Sequence, residues 1–353
     1  MPDILVVNAG STSLKLDLVG DDEQSTRISS FAEAPAGVEA VAHRVVHGGA
    51  RFRDAVAIDD AVREEIRQLV SLAPLHNAPG LHAIEEAKRA VPDAPHVAVF
   101  DTSFHRSIPE RAALYAIPAR WRDEWGIRRY GFHGLSVQWS SERVPQLLGR
   151  LVDRLVVCHL GGGSSVTAVV GGRSVDTTMG FTPLEGIPMT TRSGSIDPGA
   201  LLYVLREHDV SVEALDHTLN SDSGMKGLAG GSGGMRELES RAAAGDEVAQ
   251  LAFDVWLHRL AGAVASMAAA AGGLDALVFT AGIGERSPLV REQLCERLAF
   301  LDVEIDARRN ADCEPDADIT ADGATVRVFV VRAREELVAA RAARAVLVSG
   351  NLR

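Results

Sequence analysis

Turns rich in glycine and serine occur at residues 8–13 and 159–165, a third glycine loop lies at 282–284, and each could bind a phosphate group. Backbone N–H groups in such turns can form an anion-binding concavity, and glycine lets a phosphate approach closely. One turn of this kind is more often plain hairpin chemistry. Three of them in one chain predict a nucleotide cradle, although the sequence has neither a Walker A loop nor a GxGxxG fingerprint.

Basic side chains stand in three unusual contexts. Arg44 lies in the run HRVVHGG, Arg192 in TTRSG, and His133 in YGFHG. A planar guanidinium can bind two phosphate oxygens at once. Each residue alone is well explained as part of a surface or turn, but in an acidic chain the three together predict clamps for a transferring phosphoryl group.

Two carboxylates are candidates for the same site. Asp101 ends the apolar run 97–100, and strand carboxyl ends face the ligand crevice of an open α/β sheet. Asp101 is equally well explained as a helix N-cap. Glu335 begins the last predicted helix, where a carboxylate often only complements the helix dipole. From the residues alone, a role in binding Mg²⁺ stays open for both.

The elements that must position these groups form two similar halves. A strand, a Gly/Ser turn and a second strand occur at residues 4–18 and again at 155–170, with Asn8 and His159 at equivalent places. This indicates an internal duplication. Apolar periodicity predicts helices at 59–72, 79–90, 247–271 and 335–347, and strands at 97–100, 277–280 and 326–331. The pattern is typical of an α/β fold.

The charge and the cysteine content of the chain argue against several classes of function. The chain has 353 residues and a formal net charge of −12, which gives it no general attraction to nucleic acid or anionic membranes. Three widely spaced cysteines without a CxxC pair predict neither a zinc site nor a disulfide framework. No signal peptide or membrane-spanning segment is expected. We therefore expect a cytoplasmic protein.

The ordered motifs of the chain resemble those of the acetate kinase family, in the acetate and sugar kinase, Hsp70 and actin superfamily. The resemblance rests on NAGSTSLK at 8–15, HRVVHGG at 43–49, APLHN at 73–77, FDTSFH at 100–105, YGFHG at 130–134, HLG at 159–161, MGFTPLEG at 179–186, TRSG at 191–194, FTAGIGE at 279–285 and EEL at 335–337. It implies two actin-like (ribonuclease H-like) domains of duplicated topology with a central cleft. The first would span residues 1–148, joined by the terminal helix 335–353. The second, at 149–334, would bind the nucleotide and form a homodimer.

The resemblance also implies residue roles. The catalytic residues would be Arg44, Asp101, His133 and Arg192. The transition state and the phosphate path would be lined by His133, His159 and Arg192. Asn8 and Glu335 would hold Mg²⁺, which Mn²⁺ can replace. The acceptor pocket would comprise Arg44, Val46, Leu75, Phe132 and Pro183. The nucleotide site would comprise Ser11, Ser13, Lys15, His159, Leu160, Gly161, Gly162, Gly163, Gly234, Met235, Arg236, Gly282, Ile283, Gly284 and Glu285.

The implied reaction is reversible, direct in-line transfer of the ATP γ-phosphoryl group to acetate, forming acetyl phosphate and ADP. Two alternatives stay open: a propionate or butyrate kinase of the same family, and a non-catalytic nucleotide-binding regulator. Gly162 and Gly234 stand where the family usually has Asn and Asp, so the nucleotide preference is open. Only 28 residues separate Lys15 from Arg44, several dozen fewer than in the family, which predicts a trimmed first domain.

Overall fold

Two six-stranded mixed sheets form the framework of the chain in the computed structural model, which describes residues 3–10, 14–72 and 74–349. The first sheet contains β1 (Ile4–Ala9), β2 (Leu14–Val19), β3 (Ser25–Ile28), β4 (Ala40–Val45), β5 (Val56–Ala57) and β6 (His96–Phe100). Its strand order is β3-β2-β1-β4-β6-β5. Strands β1, β4 and β6 run parallel, while β2, β3 and β5 run antiparallel to their neighbours.

The second sheet repeats this arrangement strand for strand. It contains β7 (Arg154–Leu160), β8 (Ser164–Val170), β9 (Arg173–Thr177), β10 (Ala276–Thr280), β11 (Ala317–Asp318) and β12 (Arg327–Val330). Its order is β9-β8-β7-β10-β12-β11, with β7, β10 and β12 parallel. The opening hairpins β1–β2 and β7–β8 therefore occupy equivalent positions. The predicted α/β fold of duplicated topology is confirmed.

Fourteen α-helices accompany the sheets in the described part of the chain. They are α1 (Asp60–Gln68), α2 (Pro74–Ala90), α3 (Glu110–Ala113), α4 (Ala119–Trp125), α5 (Gly134–Leu148), α6 (Pro198–Glu207), α7 (Val212–Ser221), α8 (Gly224–Ala229), α9 (Met235–Ala243), α10 (Glu247–Ala271), α11 (Ala281–Arg286), α12 (Pro288–Arg297), α13 (Ala307–Ala311) and α14 (Glu335–Val348). None of these helices is both long and apolar enough to cross a membrane.

Two differences from the predicted elements concern the candidate site. The helix expected at 79–90 already begins at Pro74, because proline fits the first turn of a helix, where its missing N–H is not needed. The third glycine-rich turn, expected as a loop, lies in the short helix α11, which follows β10 directly. Its first residue, Ala281, has a φ of 64°, so the chain bends sharply at that point.

The chain divides into two compact units. Unit 1 comprises residues 1–107, 115–139 and 334–353, and unit 2 comprises residues 108–114 and 140–333. In unit 1, α2 and α14 pack on the sheet, and α14 buries Leu337, Ala340 and Ala343. In unit 2, the long helix α10 packs across β7, β8 and β9 and buries Trp256 and Leu260. The predicted domains, with a boundary at residue 148 and separate roles, stay a prediction.

Candidate active site

The carboxyl ends of three parallel strands bring the polar candidates of unit 1 together. Asn8 on β1 is paired in register with Arg44 on β4, and Asp101 directly follows β6, the other neighbour of β4. Parallel strands end at the same edge of a sheet, so residues far apart in sequence become neighbours there. Glu335, the first residue of α14, completes the group.

Arg44 is the centre of this cluster. Its Nε donates to Asp101 Oδ1 at 2.9 Å, its Nη2 contacts Asp101 Oδ2, and its Nη1 donates to Asn8 Oδ1 at 3.0 Å. Asn8 Nδ2 in turn donates to Glu335 Oε2 at 3.3 Å. The side chains of Arg44 and Asp101 are 13% and 1% exposed, so this is a buried, two-pronged ion pair. Such pairs fix a guanidinium in one orientation.

Burial and the paired charges set the ionisation of the cluster. Burial raises the pKa of Asp101 to about 6, although Arg44 and the backbone N–H of His133 lower it. Burial alone would lower the pKa of Arg44, but the carboxylates of Asp101 and Glu335 raise it above its ordinary value. Arg44 is therefore a permanent cation, and Asp101 is charged at neutral pH.

The loop that contains YGFHG, residues 130–134, packs against the carboxyl end of β6. His133 has a φ of 59°, and Gly134 N donates to Asp101 O at 3.0 Å. A Cβ at Gly134 would lie 2.0 Å from that carbonyl oxygen, so only glycine fits. Phe132 O accepts a hydrogen bond from buried His105 Nε2 at 2.9 Å. These contacts hold His133 beside the carboxylate in a conformation that is strained for a residue with a side chain.

The apolar residues predicted to line an acceptor pocket are only partly placed by the structure. Val46 and Phe132 are buried in unit 1, with exposures of 4% and 1%, and the His47 ring packs edge-on against Phe132. The side chain of Leu75 lies outside the described residues. Pro183 belongs to unit 2, where its carbonyl accepts a hydrogen bond from Arg192 Nη1 at 3.3 Å. Arg192 is largely desolvated, which lowers its pKa.

The oxygen donors of the cluster suit a small divalent cation. Asn8, Asp101 and Glu335 offer an amide oxygen and two carboxylates, and Mg²⁺ commonly binds through one or two carboxylates with substrate phosphates completing its shell. No group of three or more His, Cys, Asp or Glu side chains in the described ranges is arranged to hold a metal. Donors of this kind fit a cation that is shared with a phosphate ligand.

Unit 2 has a cavity of about 490 Å³, within the range of small-molecule sites. The β7–β8 turn forms one wall, and the start of α9 and the helix α11 form others. The lining residues are Gly161, Gly162, Thr190, Gly234, Met235, Arg236, Glu239, Gly282, Ile283, Arg286 and Ser287. Seven predicted nucleotide-site residues are thus brought together: Gly161, Gly162, Gly234, Met235, Arg236, Gly282 and Ile283.

The other predicted nucleotide residues lie beside this lining or elsewhere. His159, Leu160 and Gly163 belong to β7 and its turn, and Gly284 and Glu285 to α11. Lys15 lies on β2 of unit 1, and its side chain is exposed. Ser11 and Ser13 lie outside the described residues.

A buried arginine holds the end of helix α11, which lines the cavity. Arg291 of α12 is 1% exposed, and its Nη1 donates to Gly284 O at 2.9 Å and Glu285 O at 3.0 Å. Its Nε and Nη2 donate to the side-chain and backbone oxygens of Asn310 at 2.7 and 2.8 Å. All these acceptors are neutral, and burial lowers the pKa of Arg291. The contacts fix the carbonyl end of α11.

Sequence reasoning missed five residues at this site: Thr190, Glu239, Arg286, Ser287 and Arg291. One of them had a usable signal. Ser287 followed by Pro288 is a typical helix start, and Ser287 Oγ does cap α12 by accepting from Val290 N at 3.1 Å. Glu239, Arg286 and Arg291 belong to α9, α11 and α12, and Thr190 belongs to the loop between β9 and α6, so only the folded chain brings them together.

Comparisons with known proteins identify the family of the chain. The model of the acetokinase family matches residues 29–341. The chain is 50% identical over 308 residues to an acetate kinase of Microcystis aeruginosa, covering 87% of this chain and 77% of that protein. Among solved structures it resembles a propionate kinase of Francisella tularensis, with 36% identity, a TM-score of 0.91 and coverage of 97% and 99%. It also resembles an acetate kinase of Porphyromonas gingivalis, with 30% identity, a TM-score of 0.87 and coverage of 98% and 100%.

Proposed function

Since this chain belongs to the acetokinase family, we propose that it transfers the γ-phosphoryl group of ATP to acetate, reversibly and by direct in-line attack. The products are acetyl phosphate and ADP. The observation that carries the proposal is the buried cluster of Arg44, Asp101, Asn8 and Glu335 at one strand edge. This cluster presents a fixed guanidinium and oxygen donors where a phosphoryl group and its cation can be neutralised.

The residue types suit the chemistry of this transfer. Phosphoryl transfer passes through a loose, metaphosphate-like state, so the protein mainly positions the reactants and neutralises charge. Arg44 and Arg192 are assigned to the carboxylate and the planar phosphoryl group, and His133 and His159 to its oxygens. A carboxylate acceptor is already a nucleophile and needs no strong general base. Asp101 acts by holding the Arg44 guanidinium in place.

Mg²⁺ is the proposed cofactor, and Mn²⁺ can replace it. The cation would be held by Asn8 and Glu335 with Asp101 nearby, a set of hard oxygen donors. When bound, it would neutralise the charge of the ATP phosphates. Lys15 and the turn at residues 160–163 are assigned to the phosphates, and the cavity of unit 2 to the nucleoside.

Acetate is proposed as the acceptor over longer acids. Val46 is β-branched, buried and two residues after Arg44, so it would limit the space beside the acceptor carboxylate. One methylene is worth only about 1–3 kcal/mol of discrimination, which makes propionate and butyrate the second candidates. The Francisella tularensis relative, described as a propionate kinase, favours testing them directly.

A non-catalytic nucleotide-binding regulator is a weaker alternative. Its support is Gly162 and Gly234, which offer no side chain to a nucleotide. A protein that only binds a nucleotide does not need the Arg44–Asp101 pair, and removing these two charges from water costs free energy. We therefore favour catalysis.

We propose that unit 2 forms a homodimer. Helix α6 has no buried residue, and its Leu202 and Tyr203 are 55% and 53% exposed. Ile196 and Val212 add further exposed apolar surface near it in sequence. A second copy of the chain would cover this surface. Sedimentation analysis should give a dimer, and Leu202→Glu should give a monomer.

A cytoplasmic location is proposed from the cysteines. Cys158, Cys295 and Cys313 are all free thiols, and the first two are buried. Burial raises the pKa of Cys295 to about 12, so this thiol is not reactive.

The deciding experiment is an acyl-phosphate trapping assay with hydroxylamine. Acetate, propionate and butyrate are each tested with ATP, GTP and pyrophosphate in the presence of Mg²⁺. We expect acetyl hydroxamate with ATP, and the highest kcat/KM with acetate. No acyl phosphate from any pair would favour the regulator, and turnover with pyrophosphate alone would refute the nucleotide assignment.

A further inference from the structure

A carboxylate faces the cavity of unit 2 from helix α9. Glu239 lies three residues after Arg236, so both side chains are on one face of the helix, and both line the cavity. Glu239 is only partly exposed. Gly234, five residues before Glu239, is the position where the family usually has Asp, so it offers no side-chain acceptor.

The orientation of this carboxylate is fixed by a serine. Glu239 Oε1 accepts a hydrogen bond from Ser287 Oγ. The same hydroxyl accepts from Val290 N at 3.1 Å, because Ser287 caps helix α12. A serine hydroxyl has one proton, and with the Val290 N–H donating to the oxygen, that proton goes to Glu239. The carboxylate is thus held in place before any ligand arrives.

Glu239 keeps acceptor capacity toward the cavity. An ionised carboxylate has about four lone-pair sites, and the Ser287 hydroxyl uses one of them. Only a hydrogen-bond donor can use the others. In a nucleotide such donors lie on the nucleoside, because the ionised phosphates carry only acceptors and would be repelled by this charge.

We propose that Glu239 binds the ribose hydroxyls of the nucleoside triphosphate, an inference that rests on the proposed function of this cavity. The ribose diol presents hydroxyl donors, and a carboxylate accepts from the ribose 2′-hydroxyl in the unrelated dinucleotide-binding fold. Glu239 thereby supplies the acceptor that Gly234 does not. It also makes the enzyme selective for the sugar of its phosphoryl donor.

The test compares Glu239→Gln with wild type on ATP, 2′-deoxy-ATP and 3′-deoxy-ATP. The exposed Glu296 on α12, outside the cavity, gives the matched control Glu296→Gln. Hydrogen bonds to a charged acceptor predict a rise of roughly 10-fold or more in KM for ATP, with kcat unchanged. The penalty should shrink for the analogue that lacks the bonded hydroxyl, since wild type has already lost that bond. Glu296→Gln should behave as wild type.

Calorimetric binding of ADP, 2′-deoxy-ADP and 3′-deoxy-ADP gives a readout that does not depend on turnover. The same pattern of penalties is expected in Kd. Equal penalties for the ribose and both deoxy forms, an unchanged KM, or a penalty that follows the base would each overturn the proposal. A wild-type protein that binds ADP but forms no acyl phosphate would refute the proposed function, and the Kd series would still decide the role of Glu239.

Discussion

Removal of the Arg44 guanidinium should cost both activity and stability, and the two losses can be separated. Arg44→Ala leaves Asp101, whose side chain is 1% exposed, without its two-pronged partner. An uncompensated charge of this kind costs about 3–5 kcal/mol of unfolding free energy. A transition-state arginine in phosphoryl transfer is worth about 10³–10⁵ in kcat, which is roughly 4–7 kcal/mol.

The separation comes from a double variant. In Arg44→Ala/Asp101→Asn, the neutral amide removes the buried charge, so most of the lost stability should return while kcat stays at the level of Arg44→Ala. Arg51→Ala is the matched control. Arg51 pairs with Glu65 at 2.7 Å, but its side chain is 75% exposed, and such pairs contribute at most about 1 kcal/mol.

The assays are urea unfolding followed by circular dichroism, and acetyl hydroxamate formation under saturating ATP and acetate. Our reasoning would be refuted if Arg44→Ala were no less stable than Arg51→Ala. It would also be refuted if Arg44→Ala kept a tenth of the wild-type kcat, or if the double variant regained activity along with stability.

Three further predictions concern pH, the acceptor and the nucleotide site. The pKa of Asp101 is raised from 3.8 to about 6, so this carboxylate is half protonated near pH 6, and kcat/KM should drop about tenfold per pH unit below it. A flat profile in Asp101→Asn would identify this group, and the same acid limb in that variant would exclude it. Val46→Ala should raise the propionate-to-acetate ratio of kcat/KM by about 10-fold, and an unchanged ratio would mean that Val46 only packs the core. Arg291→Met should raise KM for ATP more than it lowers kcat, because the Gly284 and Glu285 carbonyls lose their hydrogen-bond donor. Arg291→Lys should recover part of this loss. A wild-type KM in the methionine variant would show that Arg291 has no role in nucleotide binding.

The duplicated fold could be predicted from local pattern. A strand, a turn of small residues and a second strand occur twice, and each hairpin carries a polar residue, Asn8 or His159, one position before its first strand ends. Period-two apolar runs and helical spacing are local properties of the chain, so they are readable without coordinates. The two matching sheet orders confirm what this repeat indicated.

The local sequence pattern gave a wrong prediction for one element of the candidate site. The residues Gly282 and Gly284 suggested a loop, yet they form helix α11. Arg291 holds two carbonyls of this helix from α12, and the positive φ of Ala281 sets its direction. Tertiary contacts of this kind override the weak helix propensity of glycine.

The sequence by itself identified which side chains could do chemistry: Arg44, Asp101, His133 and Arg192 combine suitable side-chain types with contexts of glycine, hydroxyl residues or a strand end. Only the tertiary structure decided which of them meet. Asn8 and Glu335 are 327 positions apart and share a hydrogen bond, and Glu239 reaches Ser287 across 48 positions. Such contacts depend on strand order and helix packing. Both arise from burial of apolar surface over the whole chain, so they cannot be predicted from the residues next to the site.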